Sequence, residues 1–131
     1  MKSVYRWFRA WLPVFLWMIV IYYFSSRQRV AISDVFTINF LLFKTLHVIE
    51  YAALYFLLLR GFYLTVYPDK PIQIYRYAFI VALLYAVSDE IHQTFVPTRE
   101  GKIWDIMIDT IGIGIMYTLI KKKFSLFKKI V

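Results

Sequence analysis

Residues 7–24 read WFRAWLPVFLWMIVIYYF, and this stretch decides what kind of protein the chain is. It is close to the roughly 20 residues that a helix needs to cross the hydrocarbon core of a bilayer. Basic residues precede it, as they do in a signal peptide. The run is long for a signal-peptide core, however, and Tyr22-Tyr23-Phe24-Ser25-Ser26-Arg27 is a poor small-residue cleavage site. It reads as a retained transmembrane helix, with Pro13 about one turn inside it and expected to kink it.

The rest of the chain repeats this character. Of 131 residues, 61% are hydrophobic and 18% charged, against about 45–50% and about 25% in a soluble domain. A single domain of this size cannot hide so much apolar surface in one core, and the same excess excludes disorder. There is no cysteine, which removes disulfides, zinc–thiolate sites and cysteine nucleophiles. Further apolar segments run over about residues 43–67, 74–96 and 103–120. Pro68-Asp69-Lys70-Pro71 marks the turn between the second and third, and Pro97 stops the third. Backbone groups in lipid must bond within their own segment, so each segment is expected to be a helix. The apolar part of the first join, Val35 to Leu42, is expected to lie in the interface or dip back into the bilayer. The expected fold class is therefore all-α: a single transmembrane domain over 1–131, a bundle of four spanning helices at about 7–24, 43–67, 74–96 and 103–120, multi-pass in the cell membrane.

The net charge of +8 does not point to nucleic acid, because the basic residues flank apolar runs instead of forming a stripe. With four spans, the tails and the second join share one side. They carry Lys2, Arg6, Arg9, Arg60, Lys70, Arg76, Lys121, Lys122, Lys123, Lys128 and Lys129, eleven cations. The other side has five, Arg27, Arg29, Lys44, Arg99 and Lys102. The positive-inside rule then places both termini in the cytoplasm. The basic tail from Lys121 to Lys129 reads as a cytoplasmic stop signal lying on anionic lipid.

Ionisable groups inside or at the edge of such segments are costly and normally face a partner or a wet cavity. Three groups of them are present. Lys44, His47 and Tyr51 share a helix face, with Glu50 three residues after His47 and able to pair with it. Ser88, Asp89, Glu90, His92 and Gln93 end the third segment, with Asp89 and Gln93 an i, i+4 pair and Arg99 beyond. Asp105 and Asp109 open the fourth, with Gly112 a turn further along nearly the same face. Segment order alone brings all three to one side of the membrane, the extracytoplasmic one by the charge count. His92 by itself reads as an interfacial histidine, and Glu100 and Lys102 as solvated loop charges. Gly112 and Gly114 suggest close helix approach without the small-xxx-small spacing.

These residues resemble a known family. Lys44-Thr45-Leu46-His47 with Glu50-Tyr51 is similar to the K-x-x-H-x-x-x-Y signature of VanZ-like membrane proteins. Asp89-Glu90-Ile91-His92-Gln93-Thr94-Phe95-Val96-Pro97-Thr98-Arg99, followed by Asp105, resembles that family's D-E-x-x-Q-x-F-x-P-x-R…D block. Tyr23-Phe24-Ser25-Ser26 is similar to the family's ending of the first helix. The likeness covers roughly residues 10 to 120. It departs at Asp109, where the family usually has Asn, and at Met116, where it often has a second glycine. The family is named for low-level resistance to teicoplanin-type glycopeptide antibiotics, which the resemblance implies as a phenotype without supplying an agreed biochemical activity.

Three functions are open at this point. The first is a polar pocket in the outer leaflet, formed by Lys44, His47, Tyr51, Asp89, Glu90, Gln93, Arg99, Asp105 and Asp109. It would bind a lipid headgroup or polyprenyl-phosphate intermediate, with Lys44 and Arg99 on the phosphate, and alter glycopeptide susceptibility. The second is an intramembrane enzyme on a lipid-linked substrate, with His47 as general base oriented by Asp89 or Glu90. A metal on His47, Glu50, Asp89, Asp105 and Asp109 is a variant of this second reading; the preferred reading has no metal and no cofactor. The third is a structural or accessory subunit of a membrane complex. The expected partners are membrane lipids, among them a lipid-linked cell-wall precursor, and no nucleic acid.

Overall fold

The computed structural model describes residues 2–27, 36–66, 71–97, 99 and 101–130. The turn read at Pro68-Asp69-Lys70, the join at residues 28–35 with Arg29 and Val35, and Thr98 and Glu100 lie outside the described residues. What is described is helical: α1 Lys2–Ser25, α2 Phe36–Thr65, α3 Pro71–Gln93, α4 Ile103–Lys122 and a short α5 Phe124–Ile130. Among the described residues α1, α2 and α4 are long and apolar enough to cross a membrane, over Val4–Ser25, Thr37–Thr65 and Ile103–Lys122. At 23 residues α3 has the length, but Gln73, Arg76, Asp89, Glu90, His92 and Gln93 dilute its apolar character. Every long helix turns large apolar side chains outward, Leu16 and Ile19 on α1, Leu46 and Ile49 on α2, Leu84 and Ile91 on α3, Ile115 and Leu119 on α4. An exposed apolar surface of that extent calls for a membrane or partner to cover it.

Central in the bundle, α2 packs against α1, α3 and α4. The side-chain pairings fix the directions. Ser25 at the end of α1 meets Asp89 near the end of α3, so these two helices are parallel. Lys44 near the start of α2 meets Asp105 near the start of α4, and further along Tyr55 meets Tyr117, so α2 and α4 are parallel too. Trp11 Nε1 donates to Thr65 Oγ1 (3.1 Å) and Trp17 Nε1 to the Glu50 carbonyl (2.9 Å), which sets α1 antiparallel to α2. The Tyr85 hydroxyl donates to the Met18 carbonyl (2.6 Å) and ties α3 to α1. Lipid tails are as apolar as leucine, so interhelical hydrogen bonds and close packing, not hydrophobic burial, hold such helices together.

Several expected boundaries move. The second helix begins at Phe36, so residues 36–42 continue it as regular helix and do not form a separate segment that dips back. No glycine or proline between Phe36 and Lys44 interrupts the turn. The third helix starts at Pro71, since proline loses no helical hydrogen bond at the first position. It ends at Gln93, before the expected Val96. There Thr94, Phe95 and Val96 donate to the carbonyls three residues back, tightening the last turn. The first helix runs unbroken through Pro13. Proline has no N–H to offer the carbonyl four residues earlier, that of Arg9, and the Arg60 guanidinium donates to that carbonyl instead (3.1 Å). The basic tail forms α5, whose Phe127 is buried against Phe56 and Tyr63.

Candidate functional site

The seam between α2 and α4 is built on one face of each helix. Asp105, Asp109 and Gly112 recur at the spacing of a single helical face. On α2 they meet Lys44, His47 and the backbone of Val48. A Cβ at Gly112 would run into the Val48 carbonyl, so the missing side chain lets the two backbones come together. Gly114, paired with Gly112 in the sequence reading, does not share this role: nothing lies within 4 Å of where its Cβ would be.

Along this seam Lys44 forms an ion pair with Asp105, its side chain 15% exposed and that of Asp105 9%. Lys44 also lies over the Phe40 ring, 5.6 Å from its centre. One turn deeper, His47 Nδ1 comes within 3.3 Å of Asp109 Oδ1 and 3.9 Å of Glu50 Oε2. The expected i, i+3 pairing of His47 with Glu50 is thus present. Asp109 is completely buried, and so is Tyr51. His47 and Asp109 are each other's nearest charged neighbours across the seam. Among the described residues His47 Nδ1, both Asp109 oxygens, the Tyr51 hydroxyl and Glu90 Oε1 are buried with no hydrogen-bond partner.

A second network joins α1 to α3. Asp89 Oδ2 accepts from Ser25 Oγ (2.8 Å) and from Gln93 Nε2 (2.9 Å), which realises the expected Asp89–Gln93 pair. Arg99 Nη1 donates to Gln93 Oε1 (3.3 Å). Its Nε and Nη2 donate to the carbonyls of Arg27 (2.8 Å) and Phe24 (3.1 Å). Arg99 therefore caps the C-terminal end of α1, where unpaired carbonyls and the helix dipole favour a cation. Glu90 Oε2 accepts the backbone N–H of Lys102 (3.0 Å), placing a carboxylate at the start of α4, where the dipole favours an anion. Gly101 makes this junction possible, because a Cβ there would strike the Glu90 carbonyl and the Thr94 side chain. His92 packs against Tyr22, the rings tilted and their centres 4.6 Å apart, and meets Ser26 Oγ at 3.0 Å. Ser26 already donates to the Tyr22 carbonyl (2.7 Å), so His92 Nε2 is the donor in this contact.

Eight of the nine residues singled out from the sequence therefore stand toward the same end of the bundle, around the ends of α1 and α3 and the first half of α2 and α4, and the ninth, Tyr51, lies at the middle of α2. The two cations reserved for phosphate are engaged within the protein, Lys44 with Asp105 and Arg99 with α1. The carboxylates at ion-pair range of His47 are Asp109 and Glu50, whereas Asp89 and Glu90 are bonded elsewhere. No group of three or more His, Asp or Glu side chains among the described residues converges closely enough to hold a metal ion. Sequence reasoning passed over Ser25 and Gly101. The first was legible in the Ser25-Ser26 ending of the first helix. The second left only the weak signal of a glycine in a short join.

The inner part of this end is rich in acceptors. Glu50, Asp89, Glu90, Asp105 and Asp109 face the cations Lys44 and Arg99 and the imidazole of His47. Unmet acceptors in a low-dielectric site are expensive, so the inner part is suited to groups that donate hydrogen bonds: hydroxyls, amides, amines or water. The family model described as VanZ/LLP1 matches residues 8–128 of the chain. Comparison with curated proteins and with solved structures returns no match.

Proposed function

The chain belongs to the VanZ/LLP1 family, and on that premise we propose that it is a four-span membrane protein whose polar end binds the headgroup of a cell-envelope lipid. In this reading α3 is the fourth span, its charged residues facing the bundle interior and its ends. The preponderance of cations in the tails and second join favours both termini in the cytoplasm. The polar end then opens to the outer leaflet.

One observation carries the proposal. Tyr51 and Glu90 keep buried polar atoms without hydrogen-bond partners, and the two oxygens of Asp109 have only the His47 ring beside them, toward the end that holds Lys44 and Arg99. A ligand with hydrogen-bond donors satisfies them. A lipid-linked cell-wall precursor has such donors in its sugar and peptide groups, and its phosphates would lie at the rim near Arg99 and Lys102. Binding of such precursors outside the membrane is also what would alter susceptibility to teicoplanin-type glycopeptides.

The test is binding of labelled lipid-linked precursor and of bare polyprenyl phosphate to the purified protein in nanodiscs. Asp109→Asn and Tyr51→Phe keep shape and remove one polar function each. The proposal expects each to weaken precursor binding by about tenfold, about 1.4 kcal/mol, at unchanged melting temperature. No binding of either lipid would overturn it. Equal binding of both would assign recognition to the phosphate and away from Asp109.

A second reading rests on His47 beside Asp109. A histidine oriented by a buried carboxylate is the pairing of a general base. It expects turnover of a lipid-linked substrate, lost in His47→Ala with binding retained.

A further inference from the structure

The opposite end of the bundle holds a cavity that the polar site does not use. It is a crevice of about 680 Å³ between α3 and α4, bounded at its end by α5. Tyr75, Phe79, Ile80, Gly114, Tyr117 and Phe124 form its walls, and two cations, Arg76 and Lys121, border it. Clefts of roughly 300–1,000 Å³ lined by apolar and aromatic side chains with few polar groups are typical of small-ligand sites.

We propose that this crevice is a binding site for one anionic membrane phospholipid, an acyl chain lying between α3 and α4 and the phosphate held by Arg76 and Lys121. Three features select this occupant. First, the crevice is empty where a side chain would fill it, since Gly114 has nothing within 4 Å of its Cβ position. It lies two turns from Lys121, about 10 Å along the helix, so the apolar part runs into the bilayer from a charged mouth. Second, the mouth is positive. Arg76 is exposed, and neither Arg76 nor Lys121 has an ion-pair partner among the described residues. The carboxylates of α3, Asp89 and Glu90, lie thirteen and fourteen residues beyond Arg76, about 20 Å along the helix. Lys122, Lys123 and Lys128 add to the local positive charge. Third, Lys121 lies against the crevice wall, its Nζ 5.5 Å from the Tyr117 ring centre and 3.4 Å from the Tyr117 hydroxyl. A basic pocket between apolar helices, at the level of the helix ends, is complementary to a phosphodiester with its chain pointing inward.

The experiment is native mass spectrometry of the purified full chain with phosphatidylglycerol or phosphatidylcholine added. One phosphatidylglycerol should survive activation that strips phosphatidylcholine. Arg76→Gln with Lys121→Gln, and separately Gly114→Leu, should each weaken its retention about tenfold, about 1.4 kcal/mol. Lys129→Gln, outside the crevice, should leave it unchanged. Melting temperature confirms that each variant is folded, and Gly114→Leu adds its side chain to open space. Equal retention of the two lipids, or full retention in Gly114→Leu, would overturn the proposal. So would displacement of the lipid by millimolar inorganic phosphate, since the chain would then contribute nothing. A dimer that Gly114→Leu dissolves would put a second copy in the crevice instead.

Discussion

At one end of the α2–α4 seam Lys44 meets Asp105 and His47 meets Asp109. At the other, Tyr55 meets Tyr117, and Phe56 meets Phe127 of α5 edge-on with ring centres 5.8 Å apart. Tyr75 joins the second group against Tyr117 and Phe124, at 5.4 and 6.3 Å. The same two helices are thus joined by ionisable groups at one end and by rings at the other. Aromatic pairs in edge contact contribute about 0.5–1.5 kcal/mol each beyond area, and they leave little polar surface to desolvate. The aromatic end shows that these helices can be held together without charge. The polar end adds expensive groups and leaves several of them unmet, which is a poor way to gain stability and a sound way to keep a site.

The largest effects are expected where a charge is left alone. Lys44→Met removes the partner of Asp105 and should cost about 3 kcal/mol, the lower range for breaking a buried pair, read as a fall in Tm in detergent. Lys44→Met with Asp105→Leu should recover most of that loss, because the pair costs as much to desolvate as it returns. Failure of the double variant to recover would mean that the pair does more for the bundle than the aromatic contacts do. Next comes Gly112→Ala. Its methyl group meets the Val48 backbone, and forcing extra volume into a packed contact costs about 1–3 kcal/mol. A neutral result would mean that the seam opens readily, and that the polar end is looser than the aromatic end.

Much of this was legible in the chain. Apolar segments of spanning length gave four long helices near their observed places, because in lipid only helices satisfy the backbone. The polar groups of α2, α3 and α4 were brought to one end by segment order alone, and the i, i+3 and i, i+4 spacings identified His47–Glu50 and Asp89–Gln93. Partner choice across helices was not legible. Periodicity says which face Asp109 occupies, but not that α2 presents His47 to it and leaves Asp89 to Ser25. In sequence Arg99 reads as a phosphate ligand; that it caps α1 as well depends on where the chain turns after α3. The two glycines of α4 looked alike in sequence, and only the position of α2 separates them. α5 was hidden because its lysines dominate the reading of the tail, while Phe124 and Phe127 do the packing.

The aromatic end supplies a smaller effect. α5 has seven residues, too few to be stable alone, and Phe127 is its buried anchor. Phe127→Ala removes ring contacts with Phe56, Tyr63 and Phe124. Amide exchange over 124–130 should rise toward that of an unfolded segment. Global stability should fall by only about 1.5 kcal/mol, the worth of three such contacts at the low end of their range. A loss as large as that of Lys44→Met would show that the two ends unfold as one unit.

The smallest effect has the opposite sign. Gly114 sits two residues from Gly112 on the same helix, yet its Cβ position is empty while that of Gly112 is filled by backbone. Glycine in a helix interior is less favourable than alanine by up to about 1 kcal/mol, because it loses more backbone freedom on folding. Gly114→Ala should therefore raise Tm slightly, where Gly112→Ala lowers it. The pair is a controlled comparison, with one substitution chemistry, one helix and nearly the same depth, so the difference between the two variants isolates the contact with Val48. If both variants lowered stability alike, the close approach of α4 to α2 would not be what Gly112 is for, and the polar seam would have to be held by its ion pairs alone.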